Sequence, residues 1–298
     1  MPAIAAARPK RYGDAATGDK MKRTGIVAAL LLLLLMTAFW FKGALVAPPD
    51  VPDRVAAGEF DTARALARLH RILGDQRPHP VDSAADDAVR ERLLAELRGM
   101  GLSPTVTDDV TCNGTARSRA VSCARIRNVL ARIGPATGRA VMMVSHYDST
   151  PVGPGAADDG IGVAVMLETA ALLKDRPLER PVLLLFDEGE EAGLIGARAF
   201  VRHNPLAAQV EAVVNVEARG VTGPALMFET SRPNAAAVAA FARSAERPSA
   251  NSASADFYRL IPNDTDVSVF RDRPWTILNF AIIGNETRYH SPGDTLAA

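Results

Sequence analysis

Five side chains that can bind a metal ion stand at or shortly after the ends of predicted strands. An apolar run at residues 141–145 leads directly into a histidine, and a Gly/Pro-rich loop then precedes an aspartate where a helical pattern begins. Because the carboxyl ends of neighbouring parallel strands meet at one edge of a sheet, α/β enzymes commonly place ligands in such positions. The five candidates are His146, Asp158, Glu191, Glu217 and His290.

Two imidazoles and three carboxylates suit zinc, which takes nitrogen and oxygen donors. Two zinc ions that share one carboxylate need two further protein ligands each, and five donors meet that number. Asp148, two residues after His146, is placed to orient the imidazole. Glu190 is left free, beside Glu191, to act as general base on a water molecule. These residue types predict a di-zinc hydrolytic site with Glu190 and Asp148 as catalytic side chains.

The acidic cluster also has a simpler explanation. Carboxylates are favourable at the N-terminus of a helix, and this accounts well for Asp187 and Glu188. It accounts less well for the adjacent pair Glu190 and Glu191. Glu217 ends the predicted strand VVNVE, where a carboxylate is costly unless it is paired or bound to metal. The other three histidines, His70, His79 and His203, are expected to be ordinary surface residues, and three tyrosines, Tyr147, Tyr258 and Tyr289, are expected to pack rather than to contact substrate.

The overall composition sets limits on the class of protein. The chain has 298 residues, a formal net charge of zero and 48% hydrophobic residues, which fits one sizeable globular domain plus an apolar segment. The balanced charge gives no reason to expect a nucleic acid as a partner. The two cysteines form no CxxC, and neither GxSxG nor HExxH occurs. A Cys-ligated zinc site, a serine-hydrolase elbow and an HExxH zinc site are therefore excluded.

The N-terminal region predicts a membrane anchor. Residues 1–23 form a basic tail, residues 24–47 an apolar segment, and residues 48–59 a stiff Pro-rich linker. The apolar segment is long enough to span a hydrocarbon core of ~30 Å. The excess of Lys and Arg before it places the tail in the cytoplasm and residues 60–298 outside, in the periplasm of a bacterium or the lumen of a eukaryotic compartment. A cleaved signal peptide is the alternative, although the run is long and the cleavage site poor.

Residues 60–298 are expected to form one α/β domain. Helices are predicted at 61–73, 83–100, 159–174, 233–245 and from 194, and strands at 105–110, 128–133, 141–145, 181–186, 213–216 and 276–283. Strands separated by helices predict a three-layer sandwich with a mixed, mostly parallel central sheet. Cys112 and Cys123 lie in one connection of a segment expected outside the cytoplasm, so a disulfide is expected, with two unpaired cysteines as the alternative.

Four motifs in order resemble the di-zinc aminopeptidase family, which also includes glutamate carboxypeptidases and the single-zinc glutaminyl cyclases. They are HYDS at 146–149, GAADDG at 155–160, GEEAGL at 189–194 and YHSP at 289–292. The resemblance covers residues 60 to 298. It implies that Asp158 bridges two zinc ions, that Glu191 joins His146 on one ion, and that His290 joins Glu217 on the other.

One departure points to a branch of this family. Many relatives have Asp where this chain has Glu217, and together with IPNDTD at 261–266 and NFA at 279–281 this resembles the membrane-bound branch of endoplasmic reticulum and vacuole and its bacterial relatives. Members of that branch often carry further transmembrane helices after the peptidase domain. Since the chain stops eight residues after His290, a C-terminally truncated peptidase domain is expected.

These expectations combine into a membrane-anchored zinc exopeptidase, with an aminopeptidase favoured, that takes peptides as substrates and contacts the bilayer through its N-terminal helix. A glutaminyl-cyclase-like acyltransferase is one alternative. A non-catalytic receptor-type ectodomain is the other, and it is disfavoured because all five donors and Glu190 are present. The sequence carries no signal for an oligomeric state.

Overall fold

A computed structural model describes residues 14–46, 51–52, 54–114, 121–250, 252–258, 260 and 264–298. The chain divides into two units, Met1–Pro48 and Pro49–Ala298. Within the described part of the first unit lies one helix, α1 (Asp14–Val46), whose segment Lys22–Gly43 is long and apolar enough to cross a membrane, with a mean hydropathy of 2.3. The predicted apolar segment is therefore helical, while its place in a bilayer stays a prediction. Residues 1–13 of the predicted tail, residue 47 of the predicted apolar segment, and residues 48–50 and 53 of the predicted linker lie outside the described residues.

The second unit alternates helices and strands, as expected. Its helices are α2 (Thr62–Leu73), α3 (Ala84–Gly99), α4 (Gly160–Leu173), α5 (Ile195–His203), α6 (Ala235–Ser244), α7 (Ser252–Tyr258) and α8 (Val267–Phe270), with short 3-10 turns at Pro205–Gln209 and Glu286–Arg288. Its strands are β1 (Thr105–Val106), β2 (Asp109–Cys112), β3 (Cys123–Ile126), β4 (Val129–Ile133), β5 (Ala140–His146), β6 (Val182–Asp187), β7 (Val210–Ala218), β8 (Leu226–Thr230) and β9 (Thr276–Ile282).

Seven of the strands in the described residues form one sheet, in the order β1-β4-β6-β5-β7-β9-β8. The central strands β6, β5, β7 and β9 pair in parallel, whereas β4 and β8 join them antiparallel at either side. This confirms the mixed, mostly parallel sheet. The four parallel strands end at the same edge, so the residues that follow them are brought together there.

Helices cover both faces of the sheet, which confirms the three-layer arrangement. Along β6, Leu184 and Phe186 pack with α3 and α4 on one face, while Leu183 and Leu185 pack with α5 and α8 on the other. Side chains alternate between the two faces of a strand, and a strand buried on both faces reads as a continuous apolar run. The run LLLLF of β6 is apolar for this reason.

Capping residues begin the helices that frame the site. Asp61 accepts a hydrogen bond from the Arg64 N–H at 3.0 Å at the start of α2, and Ser83 accepts one from the Asp86 N–H at 3.1 Å at the start of α3. Such caps satisfy N–H groups that have no partner within the helix. The capping residues in the sequence therefore predicted the start of both helices to within one residue.

The region between α3 and β4 differs from the prediction. The single strand expected at residues 105–110 is divided, because β1 extends the main sheet and β2 turns away to pair with β3 in a separate hairpin. Cys112 and Cys123 face each other in that hairpin and form the expected disulfide. Four strands and helices were not predicted, and they are β3, β8, α7 and α8. Each of these elements is short, and the periodic pattern of apolar residues by which a strand or helix is predicted is weak over so few residues.

A buried carboxylate ties α2 to α4. Glu168 is fully buried, and it accepts hydrogen bonds from Arg64 Nη2 at 2.6 Å and from Arg68 Nε at 3.3 Å. The Asp61 N–H donates to the same carboxylate at 3.3 Å. A buried carboxylate is tolerated only when it is paired and hydrogen-bonded, so this contact fixes where α2 lies on the domain.

Replacing Glu168 by Gln is expected to lower the free energy of unfolding by about 1–3 kcal/mol, because the arginines then lose their charged acceptor inside the protein. The half-exposed Glu211, which pairs with Arg180 at 2.7 Å, provides the control. Glu211→Gln should change the stability by less than about 1 kcal/mol. Urea unfolding of the full chain in detergent measures both, and equal effects of the two substitutions would contradict a special role for Glu168.

Candidate metal centre

The structure brings all five predicted donors together at the carboxyl edge of the sheet. His146 Nε2 lies 3.3 Å from Asp158 Oδ1 and 3.6 Å from Glu217 Oε1. His290 Nε2 lies 3.1 Å from Asp158 Oδ2 and 3.0 Å from Glu191 Oε1. Asp158 thus faces one imidazole with each carboxylate oxygen and joins two sets of three donors.

The pairing of the donors is the opposite of the one that the resemblance implied. His146 is grouped with Glu217, and His290 is grouped with Glu191. The strand order gives the reason. β7, which carries Glu217, lies beside β5, which ends in His146, whereas Glu191 belongs to the turn four residues beyond the end of β6 and meets the C-terminal segment there.

Asp158 is held by its neighbours in the chain and by the C-terminal segment. Asp294 accepts hydrogen bonds from the Ala157 N–H at 2.7 Å and from the Asp158 N–H at 3.1 Å. Asp159 caps α4 by accepting from the Gly162 N–H at 3.1 Å. Gly155 has a φ of +64°, and a Cβ there would meet the Asp158 carbonyl oxygen at 2.6 Å, so only glycine fits at this close approach. The bridging position is therefore fixed from both sides.

Asp148 contacts both His146 and the turn that carries Glu190. Its main-chain carbonyl lies 2.9 Å from His146 Nδ1, closer than its carboxylate oxygen Oδ1 at 3.5 Å. That carboxylate oxygen also accepts from the Glu190 N–H at 3.2 Å. Asp148 therefore orients the imidazole as expected, but mainly through its backbone, and its carboxylate also anchors Glu190.

Glu190 lies in a tight turn beside the donors. Its carbonyl accepts from the N–H groups of Gly193 and Leu194, both at 2.8 Å. Its carboxylate forms a group with His146 and Glu191 in which the ligand atoms all lie within 4.8 Å of one another. The residue predicted as general base thus reaches the centre of the site from the same turn as Glu191.

Burial is the largest influence on the pKa values of Glu191 and Glu217. Burial raises the pKa of Glu217, and burial raises the pKa of Glu191 to about 7. Burial also opposes the charge on His290, but Asp158 and Glu191 outweigh it and raise the pKa of that imidazole to about 9. Carboxylates and imidazoles held this closely favour a bound cation, which relieves the repulsion between the acids.

The donor geometry fits zinc on two counts. A tetrahedral zinc ion with bonds of roughly 2.0–2.2 Å holds its donors about 3.3–3.6 Å apart, and the donor contacts of 3.0–3.6 Å span this distance. Two of the facing oxygens, Asp158 Oδ2 and Glu191 Oε1, are buried and make no hydrogen bond within the described structure. Buried oxygens without a donor are costly, and an ion between the donors would satisfy them.

The remaining histidines do not all behave as expected. His70 and His203 are exposed, in agreement with the prediction. His79 is only 3% exposed, so its assignment to the surface was wrong. Its N–H donates to Ser149 Oγ at 2.9 Å, and its carbonyl accepts from the Ser149 N–H at 3.0 Å. His79 therefore supports the loop that follows His146, a contact between segments far apart in the sequence.

The tyrosines fall into two groups. Tyr147 and Tyr258 are buried as expected, at 3% and 6% exposure. Tyr289 differs, because its ring stacks on that of His290 with the centroids 3.8 Å apart, and the guanidinium of Arg219 lies over the same ring. Neither Arg219 nor Asp294 was predicted. The position of Asp294, two residues after the YHSP motif, was the one sequence signal for it.

Comparison with known proteins agrees with this geometry. The sequence model of Peptidase family M28 matches residues 128–298. The chain belongs to this family. A vacuolar membrane protease of Pyrenophora teres f. teres is 32% identical over 298 residues, covering 91% of this chain and 29% of the relative. Endoplasmic reticulum metallopeptidase 1 of Rattus norvegicus is 34% identical over 177 residues, covering 57% of this chain and 20% of the relative. This M28 chain thus spans less than a third of the length of these relatives.

Solved structures share the fold of this M28 protein. A glutaminyl cyclase of Porphyromonas gingivalis superposes with a TM-score of 0.64 at 20% identity, covering 81% of this chain and 92% of that one. A Zn-dependent exopeptidase of Parabacteroides distasonis superposes with a TM-score of 0.62 at 17% identity, covering 83% and 92%. At these identities the likeness establishes the α/β zinc-exopeptidase fold alone.

Asp294→Ala is expected to weaken Zn²⁺ binding by about 10–100-fold, because the turn that holds Asp158 loses two hydrogen-bond acceptors. Competition with a chromophoric chelator measures the affinity, and circular dichroism reports whether the fold is kept. The exposed Asp272 provides a matched control as Asp272→Ala. A folded Asp294→Ala protein with the affinity of the unmodified chain would show that the contact does not position Asp158.

Proposed function

We propose that this chain is a zinc-dependent aminopeptidase that binds two zinc ions. The observation that carries the proposal is Asp158, whose two carboxylate oxygens face two separate imidazole–carboxylate pairs. His146 with Glu217 would hold one ion, His290 with Glu191 the other, and Asp158 would bridge them. Zinc in such a site polarises a carbonyl and lowers the pKa of water.

The side chains around the donors supply the rest of the chemistry. Glu190 reaches the centre of the site, and its carboxylate would accept the proton of the attacking water and pass it to the leaving amine. Asp148 holds the Glu190 backbone and lies against the His146 imidazole, so it keeps base and donor at a constant separation. Positioning of this kind lowers the entropic part of the barrier.

Hydrolysis at the amino end of a peptide is supported by the fold shared with a leucine aminopeptidase precursor of Bacteroides thetaiotaomicron. A glutaminyl-cyclase-like acyl transfer is the second candidate, supported by the shared fold. The acyl transfer uses a single zinc ion, for which three protein ligands are enough. The five donors lie in two groups, and this favours hydrolysis with two ions.

The proposed specificity is tested with dipeptides that carry either a free or an acetylated amino group. The full chain with zinc restored should hydrolyse the free-amine members only. Cleavage of the blocked members would indicate another exopeptidase specificity, and cyclisation of an N-terminal glutaminyl peptide without any hydrolysis would support the acyltransferase instead.

The same assay separates the roles of the two adjacent glutamates. Glu190→Gln should keep its zinc and lose about 10²–10⁴-fold in turnover, the range that a general base contributes. Glu191→Gln replaces an anionic donor by a neutral amide, so it should lose zinc as well as activity. Metal analysis beside the kinetics decides, and a Glu190→Gln protein with full zinc and full activity would overturn the mechanism.

We further propose that α1 anchors the peptidase unit on the extracytoplasmic side of a membrane. Support comes from the apolar segment, from the basic residues before it, and from the disulfide, which is stable in oxidising compartments. The vacuolar relative is a membrane protease by name. A reporter that is active only outside the cytoplasm, fused after Pro52, should be active. Activity of a cytoplasmic reporter at the same position would contradict the topology.

A further inference from the structure

Arg219 lies beside the donor cluster with its charge unpaired. It follows the last residue of β7, and its N–H donates to the Ile282 carbonyl at 2.8 Å, which continues the pairing of β7 with β9. Because side chains alternate along a strand, Arg219 leaves the sheet on the same face as Glu217, two residues earlier. Its guanidinium is therefore directed to the side of the sheet edge where the donors lie.

An aromatic ring fixes this guanidinium in place. The Arg219 Cζ lies 5.0 Å from the centroid of the Tyr289 ring, and that ring stacks on His290. A cation over an aromatic face is held by electrostatic attraction, but the N–H groups at the edge of the guanidinium remain available to an acceptor. The contact thus orients the arginine without using its hydrogen-bond donors.

Several other buried or partly buried arginines of the domain have a carboxylate partner. Arg68, Arg90 and Arg127 each pair with a carboxylate at 2.6–2.9 Å. Arg219 is also partly buried, yet it makes no ion pair with any described residue. A guanidinium withdrawn from water without a carboxylate is unfavourable, and its planar fork of donors matches a carboxylate in two parallel hydrogen bonds. A carboxylate on a bound ligand would therefore be the matching partner of Arg219.

The distance from the donors sets the length of the ligand. Since Arg219 Cζ is 5.0 Å from the Tyr289 centroid, itself 3.8 Å from the His290 centroid, the guanidinium lies within about 9 Å of that imidazole. One residue of extended chain covers roughly 3.3–3.6 Å. One or two residues therefore separate a carbonyl held at the donors from a carboxylate held by Arg219.

We propose that Arg219 binds a substrate carboxylate on the leaving-group side of the scissile bond, so that di- and tripeptides are the preferred substrates. This inference rests on the proposed exopeptidase function and adds a substrate class to it. The carboxylate is either the C-terminus of a short peptide or the acidic side chain of the residue after the scissile bond. Both sources offer the same two oxygens to the guanidinium.

Three substrates separate these sources, and they are leucyl-alanine, leucyl-alaninamide and the α-amide of leucyl-aspartic acid. The zinc-loaded full chain should cleave leucyl-alanine about 10–100-fold more efficiently than its amide, the range of a charged hydrogen bond. Arg219→Gln should remove this preference through KM, so that leucyl-alanine and leucyl-alaninamide are cleaved with similar efficiency. Arg219→Lys keeps the charge without the planar fork and should be intermediate.

The exposed arginine of α5 gives the matched control, as Arg202→Gln. Efficient, Arg219-dependent cleavage of the aspartyl amide would identify the side-chain carboxylate as a source. An Arg219→Gln protein that loses acid and amide equally, or neither, would overturn the inference while leaving the exopeptidase function in place.

If none of the three substrates is hydrolysed, the exopeptidase function is refuted. In that case a binding measurement still tests the role of Arg219. Calorimetry with leucyl-alanine analogues whose peptide bond is reduced to a methylene-amine compares the free acid with its amide. The unmodified chain should bind the acid about 10–100-fold more tightly, and Arg219→Gln should bind both alike. Equal affinity of the unmodified chain for the two analogues would refute the role of Arg219.

Discussion

Three carboxylates and two imidazoles packed at one edge of a sheet are the constraint on which the rest of the structure depends. Carboxylates within 4.8 Å of one another repel, and burial increases the cost of their charge. His146 and Asp158 are only 1% and 4% exposed, so water does little to screen them. A cation between the donors removes this cost, whereas an empty site must be held together by the surrounding elements.

Each donor is held by a different element, and the elements are joined behind the site. β5 and β7 carry His146 and Glu217 on adjacent strands, and the turn after β6 carries Glu191. Asp294 connects the segment of His290 to the turn of Asp158. The parallel strands, which are buried on both faces, hold His146 and Glu217, while hydrogen bonds from Asp294 hold the turn of Asp158.

The two halves of the site differ in exposure. The side chains of His146 and Glu217 are 1% and 5% exposed, whereas that of His290 is 41% exposed. Tyr289 and Arg219 border this open half. The site is therefore open to solvent on the side of His290. The fold of family M28 fixes the donors, and residues such as Arg219 on the open side are free to set the substrate class.

The sequence alone determined the features that depend on local pattern. Strand-end donors, helix caps, the buried β6 and the disulfide could all be read from residue type and spacing, because each depends on neighbours within one or two elements. The tertiary structure decided which donors lie together, that His79 is buried, and that Asp294 and Arg219 lie at the site. These depend on strand order. β5 lies between β6 and β7 although it precedes both in the chain, and no local pattern encodes that placement.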